Sequence, residues 1–250
     1  MPFIKTTKSN SYFKRFQTKF RRRRESKTDY YARKRMVTQD LNKYGTPKFR
    51  LVARITNSKV IAQVVYSMQK GDFCITQAHS QELAKWGLST GYTSYSAAYA
   101  TGLLVSRRLL TKLRLADMFK GTTETDGKDY DVACDVEAVK ASKRPFKAIL
   151  DIGNVKATTG NRVFGVLKGA CDGGLHVPHS VRKYPGYFKE EGQRKGEYNA
   201  DTHRSRIMGE HINSYIDELE KNEVIFVPAW PQNIPDGIRS IFYGKTGLSI

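Results

Sequence analysis

The sequence predicts an α/β fold: a mixed sheet built from an antiparallel three-strand meander plus a further strand, packed by helices, with an extended basic N-terminal arm and a C-terminal extension. Three observations lead there. β-Rich runs follow one another over 49–56 (FRLVARIT), 60–67 (VIAQVVYS) and 72–78 (DFCITQA). A long helical stretch then covers 94–115, and an isolated apolar run, 146–152 (FKAILDI), precedes a further helix at 163–170.

The elements read as follows. Residues 1–42 interleave seven aromatic side chains with basic ones and have little apolar stripe, except near 31–41, where a short helix is expected. Asn57-Ser58-Lys59 is a hairpin turn between the first two strands. Ser80 is a candidate N-cap for a short helix over 81–86, which Gly87 ends. On the long helix Tyr99, Leu103, Leu110 and Leu113 share one face and are expected in the core. The polar, acidic stretch 121–131 reads as a surface loop, and Gly173-Gly174 closes the helix at 163–170. Beyond Lys183 the pattern weakens. One amphipathic helix is expected over 207–219, then an extended, proline-bearing docking tail over 224–250. The implied organisation is an arm over 1–45, a core over 46–187 and a tail over 188–250.

Charge indicates the partner. The 250 residues hold 43 Lys+Arg against 24 Asp+Glu, a formal +19. Residues 1–35 alone carry 13 basic and two acidic side chains, whereas 188–250 carry eight basic and ten acidic. A dense cationic arm on a basic body attracts polyanions, and the arm's rings suit unpaired bases, so RNA is the expected ligand. Arg21–Arg24 repel one another, and the arm is too poor in aliphatic residues to offset its chain entropy. It is therefore expected to order on RNA and not before. Cys74, Cys134 and Cys171 are odd in number and lack C-x-x-C spacing, which suits a reducing compartment. No apolar run is long enough to cross a membrane, so no membrane partner is expected.

Enzymatic signals are weak. Asp151-Ile-Gly153 at a strand end resembles the carboxylate turn of metal-dependent nucleases, but no second carboxylate is placed to share an ion. A phosphate loop is absent, because Val166 and not Lys follows Gly165. His176 and His179 (HVPH) lack co-ligands for zinc and read as solvated or RNA-facing. No catalytic residue, metal or other cofactor is expected.

Three blocks then become informative together: FKRFQTKFRRRRESKTDYYARKR (13–35), DIGNVKATTGNRVFGVLKGACDGGL (151–175) and HVPHSVRKYPGYF (176–188). In these the chain resembles the universal large-subunit eighteen family of ribosomal proteins in its eukaryotic form, large-subunit ribosomal protein five. The resemblance runs from residue 1 to about 209. It implies an α/β core that binds 5S rRNA in the central protuberance. It implies large-subunit rRNA, a protein of the universal large-subunit five family and other large-subunit proteins as partners, with assembly in the nucleus and nucleolus and work in the cytoplasm. Carried over residue by residue, it places RNA contacts at Tyr12, Lys14, Arg15, Lys19, Arg21, Arg22, Arg23, Arg24, Lys27, Thr28, Tyr30, Tyr31, Arg33 and Arg35. It extends to Arg54, Lys59, Thr159, Asn161, Arg162, His179 and Arg182. Two departures stand out: Ser26 replaces the glycine usual before Lys-Thr-Asp, and the end of the chain lacks the family's strongly basic C-terminal region.

Binding to 5S rRNA should be steeply salt-dependent. With half of the arm's cations on phosphates, a plot of log affinity against log salt should slope by about −4 to −6. A titration giving a slope shallower than about −2 would contradict this account.

Overall fold

The structure, a computed structural model, describes residues 7–134, 144–189 and 196–221. β1 (Phe49–Ile55), β2 (Val60–Met68) and β3 (Gly71–His79) form the expected antiparallel meander. β4 (Ile149–Asp151) adds in parallel to the far side of β1, giving the order β3-β2-β1-β4. The regular part of this last strand is shorter than the apolar run that announced it, and most of the run is only half-buried.

Strand alternation gives the sheet two different faces. Leu51 and Ala53 of β1 lie opposite Val64 and Ala62 of β2, all fully buried. Two helices cover this apolar face: α4 (Tyr95–Lys112), capped by the Ser94 hydroxyl, and α5 (Arg162–Asp172), capped by the Asn161 side chain. Their axes approach closely because glycines stand at the crossing. A Cβ on Gly102 would lie 2.2 Å from the Val166 carbonyl oxygen, and one on Gly169 2.0 Å from that of Tyr99. The buried side of α4 is therefore made of Ala98, Gly102, Val105, Leu109 and Leu110, beside Tyr99. The expected stripe was half right: Leu103 is only partly buried and Leu113 is exposed, because α4 is pressed from two sides and turns its smallest residues inward.

Polar groups tie the helices to the chain around them. The buried Lys168 ammonium meets Asp172 at 2.6 Å and also donates to the Lys128 carbonyl, and Tyr99 donates to Asp172 at 2.8 Å. The 121–131 stretch is thus wedged against the helices instead of lying free on the surface. Its Gly127 is buried and accepts from the Tyr198 hydroxyl at 2.5 Å. Asp129 and Asp131 hold His179 and His176 at 2.9 and 2.7 Å, which overturns the solvated reading of both histidines. The short helix is a 3₁₀ turn over Ser80–Trp86. His79, not Ser80, caps it, and the Ser80 hydroxyl is buried accepting from the Val60 amide.

The expected helix at 207–219 is two helices, α6 (Ala200–Met208) and α7 (Glu210–Lys221). Gly209 breaks them apart in the left-handed conformation, at φ +85°. The 224–250 tail lies outside the described residues. The arm holds α1 (Asn10–Arg15), α2 (Arg21–Arg24) and α3 (Tyr30–Val37), with no buried residue on any of the three.

His203 of α6 is fully buried. Its Nδ1 lies 2.6 Å from the Tyr198 hydroxyl and its Nε2 lies 2.8 Å from that of Tyr95. Because Tyr198 donates to Gly127, the ring donates from Nδ1 and accepts at Nε2, the neutral tautomer. Burial and the nearby Lys168 lower its pKa to about 4. His179 goes the other way. Burial alone would lower its pKa, but Asp129 and the neighbouring acceptors raise it to about 10.

A depressed histidine stabilises the fold fully above its ordinary pKa and loses that contribution as pH falls through the folded value. The His203 contribution is therefore lost between pH 6.5 and 4, whereas that of His179 is lost only in the alkaline range. Urea unfolding of wild type should show a drop of about 3 kcal/mol over the acid window attributable to His203. That drop should be absent from His203→Gln, and superimposable pH profiles for the two proteins would refute the assignment.

Candidate nucleic-acid interface

The second face of the sheet carries charge among apolar residues such as Val52 and Val65. Arg50 and Arg54 flank Val52 on this face of β1, and Asp151 of β4 pairs in register with Val52. Arg50 Nη1 donates to Asp151 Oδ2 at 2.5 Å, and Arg54 Nη2 donates to Oδ1 at 2.9 Å. The Gly153 amide adds a third bond at 2.9 Å. Arg50 and Asp151 side chains are only 3% and 4% exposed, so this is a buried ion pair. Burial pushes the Asp151 carboxyl toward the neutral form, but the two guanidinium groups and the amide overcome it and hold the pKa below the ordinary value.

From there the network reaches the arm. The other Arg50 nitrogen, Nη2, donates to Asp72 of β3 at 2.8 Å, and Arg33 of α3 clasps the same carboxylate through both terminal nitrogens at 2.7 and 2.8 Å. Ser67 also donates to Asp72. The fork of Arg33, with help from Ser67 and Arg50, holds Asp72 far below the ordinary carboxylate range. Arg33, Asp72, Arg50, Asp151 and Arg54 thus form one alternating chain of charge from the arm across three strands.

Arm and sheet enclose a cleft of about 610 Å³ between Thr28, Tyr30 and Arg33 on one side and Arg50, Arg54 and Gln63 on the other. Thr28 is buried and accepts from Arg22 at 3.0 Å. Arg33 seats this part of the arm on the sheet, and the residues before Thr28 hold α1 and α2. Ser26, in place of the family's glycine, sits at φ +55°, a left-handed conformation that costs a serine roughly 1 kcal/mol and a glycine nothing.

The remaining RNA candidates fall into three groups. On the arm, Tyr12 stacks on Phe16 with centroids 5.8 Å apart, Phe20 meets Tyr30 at 5.1 Å, and the Arg35 guanidinium lies 4.2 Å from the centre of the exposed Tyr31 ring. Lys14, Arg15 and Lys19 are exposed, as is Arg21–Arg24. Arg21 and Lys27 reach Glu25 at 3.7 and 2.7 Å, and Arg24 donates to the Lys19 carbonyl. Lys59 stands apart at the β1–β2 turn. The third group surrounds the start of α5: the Thr159 hydroxyl donates to the Arg182 carbonyl at 3.4 Å, Asn161 caps the helix, and Arg162 donates to the Thr93 carbonyl at 2.8 Å. His179 differs from all of them, its ring turned inward against Asp129, the Val177 carbonyl and Tyr184. Sequence reasoning missed Arg50 and Asp72. Arg50 and Arg54, an even four residues apart in an apolar strand, signal a shared charged side of the sheet, but their acidic partners are far away in sequence.

Comparison with known proteins places the chain in a family. A family model described as ribosomal large subunit proteins 60S L5 and 50S L18 matches residues 14–180. The chain is similar to the large ribosomal subunit protein uL18 of Tetrahymena thermophila, 54% identical over 222 residues, which are 88% of this chain and 72% of the relative. It is 52% identical to that of Eimeria tenella over 89% of this chain and 70% of the relative. It is 47% identical to that of Drosophila melanogaster over 96% and 78%. The chain belongs to this family. The matched span holds the arm from Lys14, the whole sheet and both packed helices, so the charge chain lies entirely within the family's region.

Asp151→Asn should leave the buried Arg50 with only the half-exposed Asp72 as counter-charge, at a cost of about 3 kcal/mol in chemical denaturation. Asp72→Asn, at a partly exposed pair, should cost about 1 kcal/mol or less while releasing α3. Trypsin should then cut at Arg33 faster than in wild type. Equal stability losses in the two variants would contradict the inner and outer roles given to these carboxylates.

Proposed function

We propose that this protein is a structural constituent of the large ribosomal subunit that binds 5S rRNA and helps anchor it in the central protuberance. One observation carries the reading: the arm holds far more positive charge than its surroundings neutralise. Residues 1–35 carry a surplus of eleven positive charges. Among the described residues the ion pairs made by the cations of 1–35 use only Glu25 within that span and Asp72 on the body. RNA phosphates supply the missing anions, and the exposed rings of Tyr12, Phe13, Phe16 and Tyr31 supply stacking surfaces for unpaired bases. The predicted contacts through Tyr30, Lys27 and Arg35 belong to the same surface. Family membership supports the ribosomal setting, with large-subunit rRNA, other large-subunit proteins and a protein of the universal large-subunit five family as neighbours. It also supports nuclear and nucleolar assembly followed by work on cytoplasmic ribosomes.

A nuclease built on Asp151 finds no support. Both oxygens of that carboxylate already accept from Arg50, Arg54 and the Gly153 amide, so both are engaged in holding the sheet.

Reversing Arg21–Arg24 to glutamate should flatten the log–log salt slope for 5S rRNA by about 3–4, at 0.7–0.9 counterions per contact. None of the four is buried, so the melting temperature should stay within a degree or two of wild type. Gel-shift titrations at several salt concentrations read the slope, and an unaltered slope in the variant removes the arm as the anchor.

A further inference from the structure

A second cationic cleft lies on the helix side of the sheet, away from the arm. α5 begins at one wall of it and α6 forms another. The third wall is the segment around β5 (Tyr187–Phe188), which pairs with β6 (Glu197–Tyr198). Its volume is about 380 Å³, within the roughly 300–1,000 Å³ typical of small-ligand sites. Arg162 and Arg206 bring two guanidinium groups to it, Thr159 and Thr202 bring hydroxyls, and no described lining residue is a carboxylate. Phe188 lines the same cleft and is 67% exposed, an unusual state for a phenylalanine ring.

The walls are held firmly. The Asn199 side chain caps α6 by accepting from the Asp201 and Thr202 amides, and the Asn199 amide donates to the Gly186 carbonyl at 2.9 Å. Gly186 adopts φ +86°, and a Cβ there would stand 2.5 Å from the Asn199 carbonyl oxygen. This close approach brings the β5 strand alongside α6. On the opposite wall, Arg162 is braced by the Thr93 carbonyl and the Thr159 hydroxyl by that of Arg182. Cations, hydroxyls and an open ring converge on a preformed hollow. A bare anion site has no use for the ring, and a purely apolar ligand has none for two arginines.

We propose that this cleft binds a single unpaired nucleotide of RNA, its phosphate held by Arg162 and Arg206 and its base stacked on Phe188. The inference rests on the reading of the protein as an RNA binder and adds to it a second contact face, independent of the arm. A protein with RNA sites on both sides of its sheet joins two RNA segments instead of coating one.

The test uses the full chain and a ten-nucleotide oligouridylate carrying 4-thiouridine, with crosslinked peptides mapped by mass spectrometry. Crosslinks are expected at Tyr187 or Phe188, and they should persist when Arg21–Arg24 are reversed to glutamate. Arg206→Glu alone, or with Arg162→Glu, should abolish them. Phe188→Ala should weaken oligonucleotide binding by the cleft, measured in the arm-reversed protein, roughly fivefold or more. Arg206 and Phe188 are exposed, so these two variants should melt like wild type. Crosslinks confined to residues 1–45, or unaltered by Arg206→Glu, overturn the proposal. So does a Phe188→Ala protein of unchanged affinity that inorganic phosphate displaces from the oligonucleotide as readily as wild type, because that describes an anion site without base recognition. Affinity for intact 5S rRNA is measured in parallel. Its absence alongside intact cleft crosslinks would sink the 5S assignment alone, and 5S binding without cleft crosslinks would sink the cleft alone.

Discussion

The architecture depends on the buried pair between Arg50 and Asp151. Moving two such charges out of water costs several kcal/mol each, and a pair survives there only when its hydrogen-bonding groups are well matched. Asp151 is fully matched by Arg50, Arg54 and the Gly153 amide. Arg50 spends its terminal nitrogens on Asp151 and Asp72, leaving only its buried Nε without a partner among the described residues. The pair joins β1 to the parallel β4 across a gap of about a hundred residues of chain. It also gives the sheet a charged face that a second layer of apolar helices would be unable to cover. That face is left for the arm, which brings Arg33 to the outer carboxylate.

The opposite face works by the contrary principle. There the sheet offers Leu51, Ala53, Ala62 and Val64, and α4 and α5 cover them at a spacing that only glycine at the crossing allows. Two sets of polar groups enter this layer, while the buried Tyr184 hydroxyl has no partner among the described residues. Lys168, Asp172 and Tyr99 satisfy one another, as do Tyr95, His203 and Tyr198, which obeys the rule that a partly satisfied buried network costs more than none. The division between faces explains how one small sheet presents a rigid helical body on one side and a highly cationic segment on the other.

The local pattern made several elements legible. β-Rich runs marked the meander, helical spacing of apolar residues marked α4, a run of small and apolar residues marked α5, and Gly87 marked the end of the 3₁₀ turn. The arm's role as the cationic part of the chain followed from counting charges. What failed failed for nonlocal reasons. The 121–131 stretch looks like solvent-exposed loop because its carboxylates are polar, yet their partners His176 and His179 come about fifty residues later. Leu113 fits a helical stripe, but the stripe's direction depends on which side of α4 meets α5. Gly209 was passed over inside a helical pattern that it splits in two.

The sequence by itself therefore determined the three-strand meander and the two helices that pack on it, that the chain is strongly cationic, and that the arm carries the densest charge. Backbone propensity, capping and net charge are properties of neighbouring residues. Only the tertiary structure decided which arginines are committed to carboxylates and which stay open to a ligand. Arg33 and Arg54 read from the sequence like Arg21 to Arg24, yet the first two meet Asp72 and Asp151 while the four are exposed at the surface. Whether a guanidinium is spent or free depends on the distance to an acid elsewhere in the chain, and folding alone sets that distance.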